Sequence, residues 1–292
     1  MFGRRSDGKL VHGLDGITRL MPLFVRTRSG ASNLYMFDIE ASYFDDFIEK
    51  KKLEGFNYCY MDIVIASLVR AFKVRPKLNQ FIINNRIYQR NDIDCTMMVK
   101  KNLREESEET GISPRFTGYE TIDEVKVIID EEIKKALKQT NGTDNERDFL
   151  AKMPMFILKI VVFFIKFFDN HGLLSKNFLR YSPFHASFWV TNLKSIGLDA
   201  IFHHLFDFGN CGFFLALGKE KVKPHLNSET NQIEKTKMIE MGITMDERFV
   251  DGLYYSRTLR LIKNYFKNLH LLEKPLEEDE IIKLKSNKTK DK

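Results

Sequence analysis

Little in this sequence would staple, divide or anchor a chain. It has three cysteines, Cys59, Cys95 and Cys211, far apart and without a CxxC pair. That excludes a disulfide framework and a cysteine zinc site. Each thiol sits in an apolar run, as a reduced core residue of a cytoplasmic protein would. The seven prolines and sixteen glycines never gather into a linker, and no internal repeat is visible. The opening MFGRRSDGKLVHG carries charge with no apolar stretch behind it, unlike a secretion signal. The net charge is +6, but the last ten residues, KLKSNKTKDK, hold five lysines and one aspartate. The remainder is close to neutral and lacks a basic stripe interleaved with aromatics, which excludes nucleic acid as a partner.

No apolar run reaches the roughly 20 residues of a membrane span. The nearest, MPMFILKIVVFFIKFF at residues 153–168, is sixteen long and contains Lys159 and Lys166. It reads first as a helix in the core or in a subunit interface. An interfacial membrane helix and a wall for a greasy substrate are the alternatives, with membrane contact not favoured.

What is present is the material of a globular core: 43% hydrophobic residues, with 25 Phe. Residues 34–40, LYMFDIE, alternate as a strand does. Ser42 and Asp45 have capping-box spacing ahead of a helix. MDIVIASLVRAFKVRP is an apolar helix stopped by Pro76. FIINNRIYQRN reads as a hairpin turning at Asn84-Asn85, residues that tolerate positive φ, and IDCTMMVKK as the next strand. Residues 104–118 read as a charged loop. Thr121 and Glu124 cap TIDEVKVIIDEEIKKALKQ, and NGTDN at 141–145 breaks the chain before the greasy helix. ASFWVTNL, GFFLALG and KMIEMGITMD are strand-like, and GLYYSRTLRLIKNYFKNL closes the pattern as an amphipathic helix. Helices and strands that do not alternate strictly predict an α+β layer, not a doubly wound sheet.

Three segments, in order, resemble the chloramphenicol acetyltransferase-like superfamily, which includes the catalytic domain of the dihydrolipoyl acyltransferases of 2-oxo acid dehydrogenase complexes. Residues 61–99 are similar to that family's long helix, Pro-x-Leu-Asn stop, hairpin and strand. Residues 187–218, SFWVTNLKSIGLDAIFHHLFDFGNCGFFLALG, are similar to its T-I-S-N-L-G region. DERFVDG, residues 246–252, resembles D-H-R-x-x-D-G. The resemblance covers most of residues 34–268. It implies an α+β, two-layer sandwich of a mixed sheet and helices, assembled as a homotrimer with active sites at subunit interfaces. It also implies CoA or acyl-CoA as substrate, with no metal. In active members the motif His deprotonates a thiol, a hydroxyl from the facing subunit stabilises the oxyanion, and the motif Asp forms a structural salt bridge.

Carried over residue by residue, Asp246, Arg248, Asp251 and Gly252 match the motif. Thr191 takes the hydroxyl position, with Asn192 beside it as a cofactor-binding residue. Asp251 looks to Arg19 or Arg26 for its salt bridge. Glu247 occupies the His position, and that departure concerns the chemistry itself. A thiol ionises near 8.5, an imidazole near 6.5 and a glutamate near 4.3, so Glu247 is about two units, or roughly 3 kcal/mol, the weaker base. Burial would strengthen it, but the same burial resists formation of a thiolate. His203 and His204, in IFHHLFDFG, either pack or replace the missing base. With Asp207 they make a poor metal site, three ligands within five residues fitting badly on one side of a strand. His185 either reaches the channel or is structural.

The expected organisation is a segment of residues 1–33 packing on a domain of 34–270, with 271–292 as a charged, disordered tail. No lipoyl domain is recognisable. The expected function is CoA-dependent acyl transfer to an unknown acceptor. The alternative is an inactive trimeric scaffold or acyl-CoA-binding protein that has lost the base.

Overall fold

The structure, a computed structural model, describes residues 5–100, 109–139, 153–227, 231–278 and 281. The NGTDN break, residues 104–108 and the lysine-rich end lie outside these. A seven-stranded sheet is built from β2 (Ser32–Glu40), β5 (Ile93–Lys100), β6 (Glu109–Ile112), β7 (Arg115–Phe116), β8 (Phe188–Asn192), β9 (Phe213–Asn227) and β10 (Gln232–Asp246). Its order is β2-β10-β9-β8-β5-β6, with β7 also on β5. The β5–β8 and β8–β9 pairs are parallel and the others antiparallel, so the sheet is mixed. A small antiparallel sheet joins β1 (Gly8–Leu10) to β4 (Arg86–Arg90) and β3 (Gln80–Ile83). The β3–β4 turn is made by Asn84 and Asn85 at φ 48° and 57°. Two successive positive φ values are what a tight hairpin turn demands.

One face of the large sheet carries the helix layer: α2 (Ser42–Leu53), α3 (Tyr60–Val74), α4 (Ile122–Gln139) and α7 (Gly252–Lys267). Strand periodicity decides which side chains meet it. Phe188, Val190, Leu215, Leu217, Met241 and Ile243 enter the main core, whereas Trp189 and Phe214 point the other way, into a second cluster with Leu205 and Cys211. Buried on nearly every face, α3 is the spine of the layer. Its Phe72 meets Phe188 and Phe213 at ring distances of 4.9 and 5.4 Å. A fully buried side chain of that size stabilises by about 1.5–3 kcal/mol. The result is the expected two-layer α+β sandwich.

The outer face of the sheet is partly covered by the chain after Gly197, which crosses it at Ala200–Ile201. The crossing depends on Gly218 and Gly242. A Cβ at Gly218 would lie 2.2 Å from the Ala200 nitrogen, and one at Gly242 would lie 2.4 Å from the Ile201 oxygen. This contact places the following residues, His203 and His204, over the sheet.

Several expectations are corrected. The Thr121–Glu124 box forms, but the Ser42–Asp45 box does not. Tyr60 and Lys237 bind Asp45 instead, a tertiary demand that overrides a local one. Residues 109–118 carry β6 and β7 where a loop was expected. Cys59 is exposed, and Cys95 and Cys211 are buried. The greasy run forms α5 (Met155–His171), but within this chain it is not a core helix. Asp169 is its one buried residue, and Phe163 is 63% exposed. Among the described residues, no helix is long and apolar enough to cross a membrane. Past residue 270, Leu272, Leu276 and Ile281 are buried.

Gly218→Ala and Gly242→Ala should each destabilise by roughly 1–3 kcal/mol through overpacking. Gly16→Ala, with open space around the added methyl, should be neutral. Urea unfolding midpoints check both.

Candidate active site

DERFVDG begins at the end of β10. Asp246 is 0% exposed and lies between two arginines that are themselves buried. Arg248 Nε donates to its Oδ1 at 2.9 Å and Nη2 to its Oδ2 at 2.6 Å, while Arg28 Nε stands 3.7 Å from Oδ2. The arginines use their other donors on backbone. Arg248 Nη1 reaches the Val25 and Arg26 carbonyls at 3.3 Å, and Arg28 reaches those of Phe206 and Gly209. Asp207 closes the same corner by accepting from the Ser29 N–H at 3.0 Å. Sequence reading missed Arg28, which is 218 positions from Asp246 and marked by no motif of its own.

Asp251 has a different task. It is the N-cap of α7, accepting from the Tyr254 N–H at 2.8 Å. The expected Asp251–Arg19 salt bridge is not formed among the described residues. Arg19 lies on α1 (Gly16–Phe24) and lines a separate cavity with His12 and Arg86. The reason is local: a residue just before a helix directs its carboxylate at the free N–H groups of the first turn. Burial of a paired carboxylate falls to Asp246, five residues earlier.

Glu247 is exposed and opens a short 3-10 turn, Glu247–Phe249. Thr191 is half-buried at the end of β8, opposite Ala216, which is opposite Gly242. Gly242 is five residues before Glu247, about 16 Å along a strand, and two strand spacings add to that. Thr191 and Glu247 therefore do not meet within one chain. Asn192 turns inward on its own loop, its Oδ1 accepting from the Ser195 N–H at 3.3 Å.

His203 is half-buried and stacks on Phe214, ring centroids 4.0 Å apart and planes 3° from parallel. Phe214 shares the outer face with Ala216, so His203 and Thr191 occupy neighbouring positions on the same side of the sheet. The His203 Nδ1 lies 3.0 Å from the His204 carbonyl oxygen. A carbonyl only accepts, so Nδ1 carries the proton and Nε2 presents a lone pair. Burial, partly offset by that hydrogen bond, holds the imidazole below its ordinary pKa of 6.5. His204 is exposed and stacks on His203 at 4.7 Å. His185 is buried, bonded to Ser182 and Asp169. Among the described residues, no group of three His, Cys, Asp or Glu is placed to hold a metal ion.

A cavity of about 360 Å³ borders the Asp246 corner, lined by Arg26, Arg28, Arg248 and Lys166 with Asp169 and Asp207. The two buried arginines are committed to Asp246. Arg26 and Lys166 are exposed and have no acidic partner among the described residues.

Asp246→Asn should destabilise by roughly 3–5 kcal/mol, since it leaves two buried guanidinium groups without their counter-charge. Chemical denaturation measures this. His203 is a group whose folded pKa is depressed. Its contribution to stability is therefore full above about pH 6.5 and lost as pH falls through the lower, folded value. His203→Phe, which keeps a ring on Phe214, should flatten the fall in Tm between pH 7 and pH 5.

No protein-family profile matches the sequence, and no curated protein sequence matches it. Solved structures do match the fold. The cubic core of the pyruvate dehydrogenase multienzyme complex superposes with a TM-score of 0.57 at 12% identity, covering 90% of this chain and 93% of that one. A probable dihydrolipoamide acetyltransferase from Listeria monocytogenes gives 0.55 at 14% identity, covering 88% and 94%. A chloramphenicol acetyltransferase gives 0.50 at 12% identity, covering 89% and 100%. At such identities the likeness is one of fold, and this chain has the fold of the chloramphenicol acetyltransferase-like acyltransferases.

Proposed function

We propose that the protein is a CoA-dependent acyltransferase whose site lies on the outer face of the sheet and is completed between copies in a homotrimer. The observation that carries this reading is the placement of Thr191 and His203 side by side on that face, with the His203 Nε2 lone pair free. Phe214, under His203, is two residues along and one strand over from Thr191, a diagonal of roughly 8 Å, room for a thioester carbonyl between a base and a hydroxyl donor. In this reading His203 takes the proton of the attacking thiol or acceptor, and Thr191 donates to the oxyanion. Glu247 is exposed in the single chain, so the burial that would strengthen a carboxylate as base has to come from a second copy. His204 supports the stack and keeps the His203 tautomer through its carbonyl. Arg26 and Lys166, which line the cavity beside Asp246 and have no acidic partner among the described residues, suit the phosphates of CoA.

The second reading, an acyl-CoA-binding trimer without turnover, is favoured by one observation: a glutamate stands where a base histidine is expected. Calorimetry with CoA, acetyl-CoA and a long-chain acyl-CoA tests both readings, and heat with none of them removes both. If binding is seen, thiol release with amine, alcohol and thiol acceptors separates them. His203→Ala should lower the rate by roughly 10²- to 10⁴-fold, and Glu247→Ala by less. Sedimentation should give a trimer at micromolar concentration, and a monomer would contradict the interface site.

A further inference from the structure

The end of α5 brings together three side chains that neither the motif nor the outer face uses. Asp169 is buried in the last turn of that helix. Its Oδ2 lies 3.2 Å from His185 Nε2, and His185 Nδ1 lies 2.7 Å from Ser182 Oγ. Arg5 Nη1 holds the other carboxylate oxygen at 2.7 Å and also donates to the Asp169 carbonyl at 2.8 Å. Burial opposes ionisation of Asp169, but His185 and Arg5 outweigh it and keep the carboxyl below its ordinary range. An ionised carboxylate only accepts, so His185 Nε2 carries the ring proton. Nδ1 is then the acceptor, and the Ser182 hydroxyl donates to it.

Ser182 and His185 are three residues apart, and the His185 N–H donates to the Ser182 carbonyl at 3.1 Å. A turn that merely satisfied a buried histidine would have these bonds too. What such a turn does not require is the cavity beside it. Ser182 is partly exposed and lines a cavity of about 650 Å³ between α5 and α6 (Lys176–Tyr181). The walls are Val162, Ile165, Phe178, Phe184 and Phe208, and Lys166 is the one charged residue in the lining. That volume is within the range of small-molecule sites, roughly 300–1,000 Å³. An apolar cavity with a single activated hydroxyl has the make-up of an acyl-chain site.

We propose that Ser182, His185 and Asp169 form a nucleophilic relay that cleaves carboxylic esters or thioesters whose hydrocarbon acyl chains occupy this cavity. Ser182 Oγ bonds to the acyl carbon as its proton passes to His185 Nδ1, and the carbonyl π pair moves onto oxygen. Collapse of that intermediate breaks the bond to the alcohol or thiol, which leaves with the proton from His185. Water then attacks the acyl-serine, giving its proton to His185. His185 returns a proton to Ser182 Oγ, and the carboxylic acid departs. Asp169 keeps its charge throughout and stabilises the transient imidazolium.

The proposal does not involve CoA or the outer face, so its test uses the full chain without CoA and stands or falls apart from the acyltransferase reading. The probes are a fluorophosphonate, with peptide mass spectrometry to locate the adduct, and the p-nitrophenyl esters of acetate, octanoate and palmitate. We expect one adduct per chain, on Ser182. Octanoate should be hydrolysed at least tenfold faster than acetate, with both labelling and hydrolysis lost in Ser182→Ala. This variant removes a hydrogen bond to a buried ring nitrogen and should lower the Tm by about a few degrees; a native circular dichroism spectrum at the assay temperature shows that the loss is chemical. His185→Gln, if it folds, should slow labelling by about 10²-fold or more. An adduct on other residues, or ester hydrolysis unchanged in Ser182→Ala, would overturn the proposal.

Discussion

The pairing of Asp246 with Arg248 and Arg28 fixes how the rest of the site is assembled. A carboxylate with no exposure to water is tolerated only when its charge is met and its lone pairs are filled. Arg248 does this from the next turn of the chain, and Arg28 does it from the N-terminal segment. Each arginine then spends its remaining donors on carbonyl groups, at Val25 and Arg26 on one side and at Phe206 and Gly209 on the other. Two stretches far apart in sequence, residues 25–28 and 206–209, are thereby tied to the end of β10. One of them is the loop that carries His203 and His204.

That loop is fixed at its other end by the close crossing over Gly218 and Gly242. Between these two anchors His203 lies flat on Phe214, with its Nδ1 turned to backbone. The base-competent nitrogen is thus a consequence of packing on the outer face, beside Thr191. Glu247 occupies the sequence position of the base but is more than a dozen ångströms from that hydroxyl by strand geometry. Within one chain, then, the motif position and the outer-face pair of Thr191 and His203 are separate places.

How much of this could be read in the sequence depends on the distance over which each feature is decided. The α3 helix and its Pro76 stop, the Asn84-Asn85 turn and the Thr121–Glu124 cap are local, and they form as the residues specify. The Ser42–Asp45 box is equally local on paper, but Tyr60 and Lys237 take the carboxylate. The motif gives the salt bridge to Asp251, whereas in the fold Asp251 caps a helix and Asp246 holds the arginines. Hydrophobicity marked α5 as a helix but carries no information about whether this chain or something else covers it. Arg28 was illegible because its partner is 218 residues away. The relay of Asp169, His185 and Ser182 becomes visible only once Arg5 holds Asp169 in the buried corner.

We propose that acyl-CoA is handled on the outer sheet face beside Thr191 and His203. A photoreactive acyl-CoA analogue, cross-linked to the protein and mapped by mass spectrometry, tests it most directly. Adducts should concentrate in residues 189–192 and 201–214 and be suppressed by excess acetyl-CoA. Cross-links confined to other surfaces, or insensitive to acetyl-CoA, would contradict it.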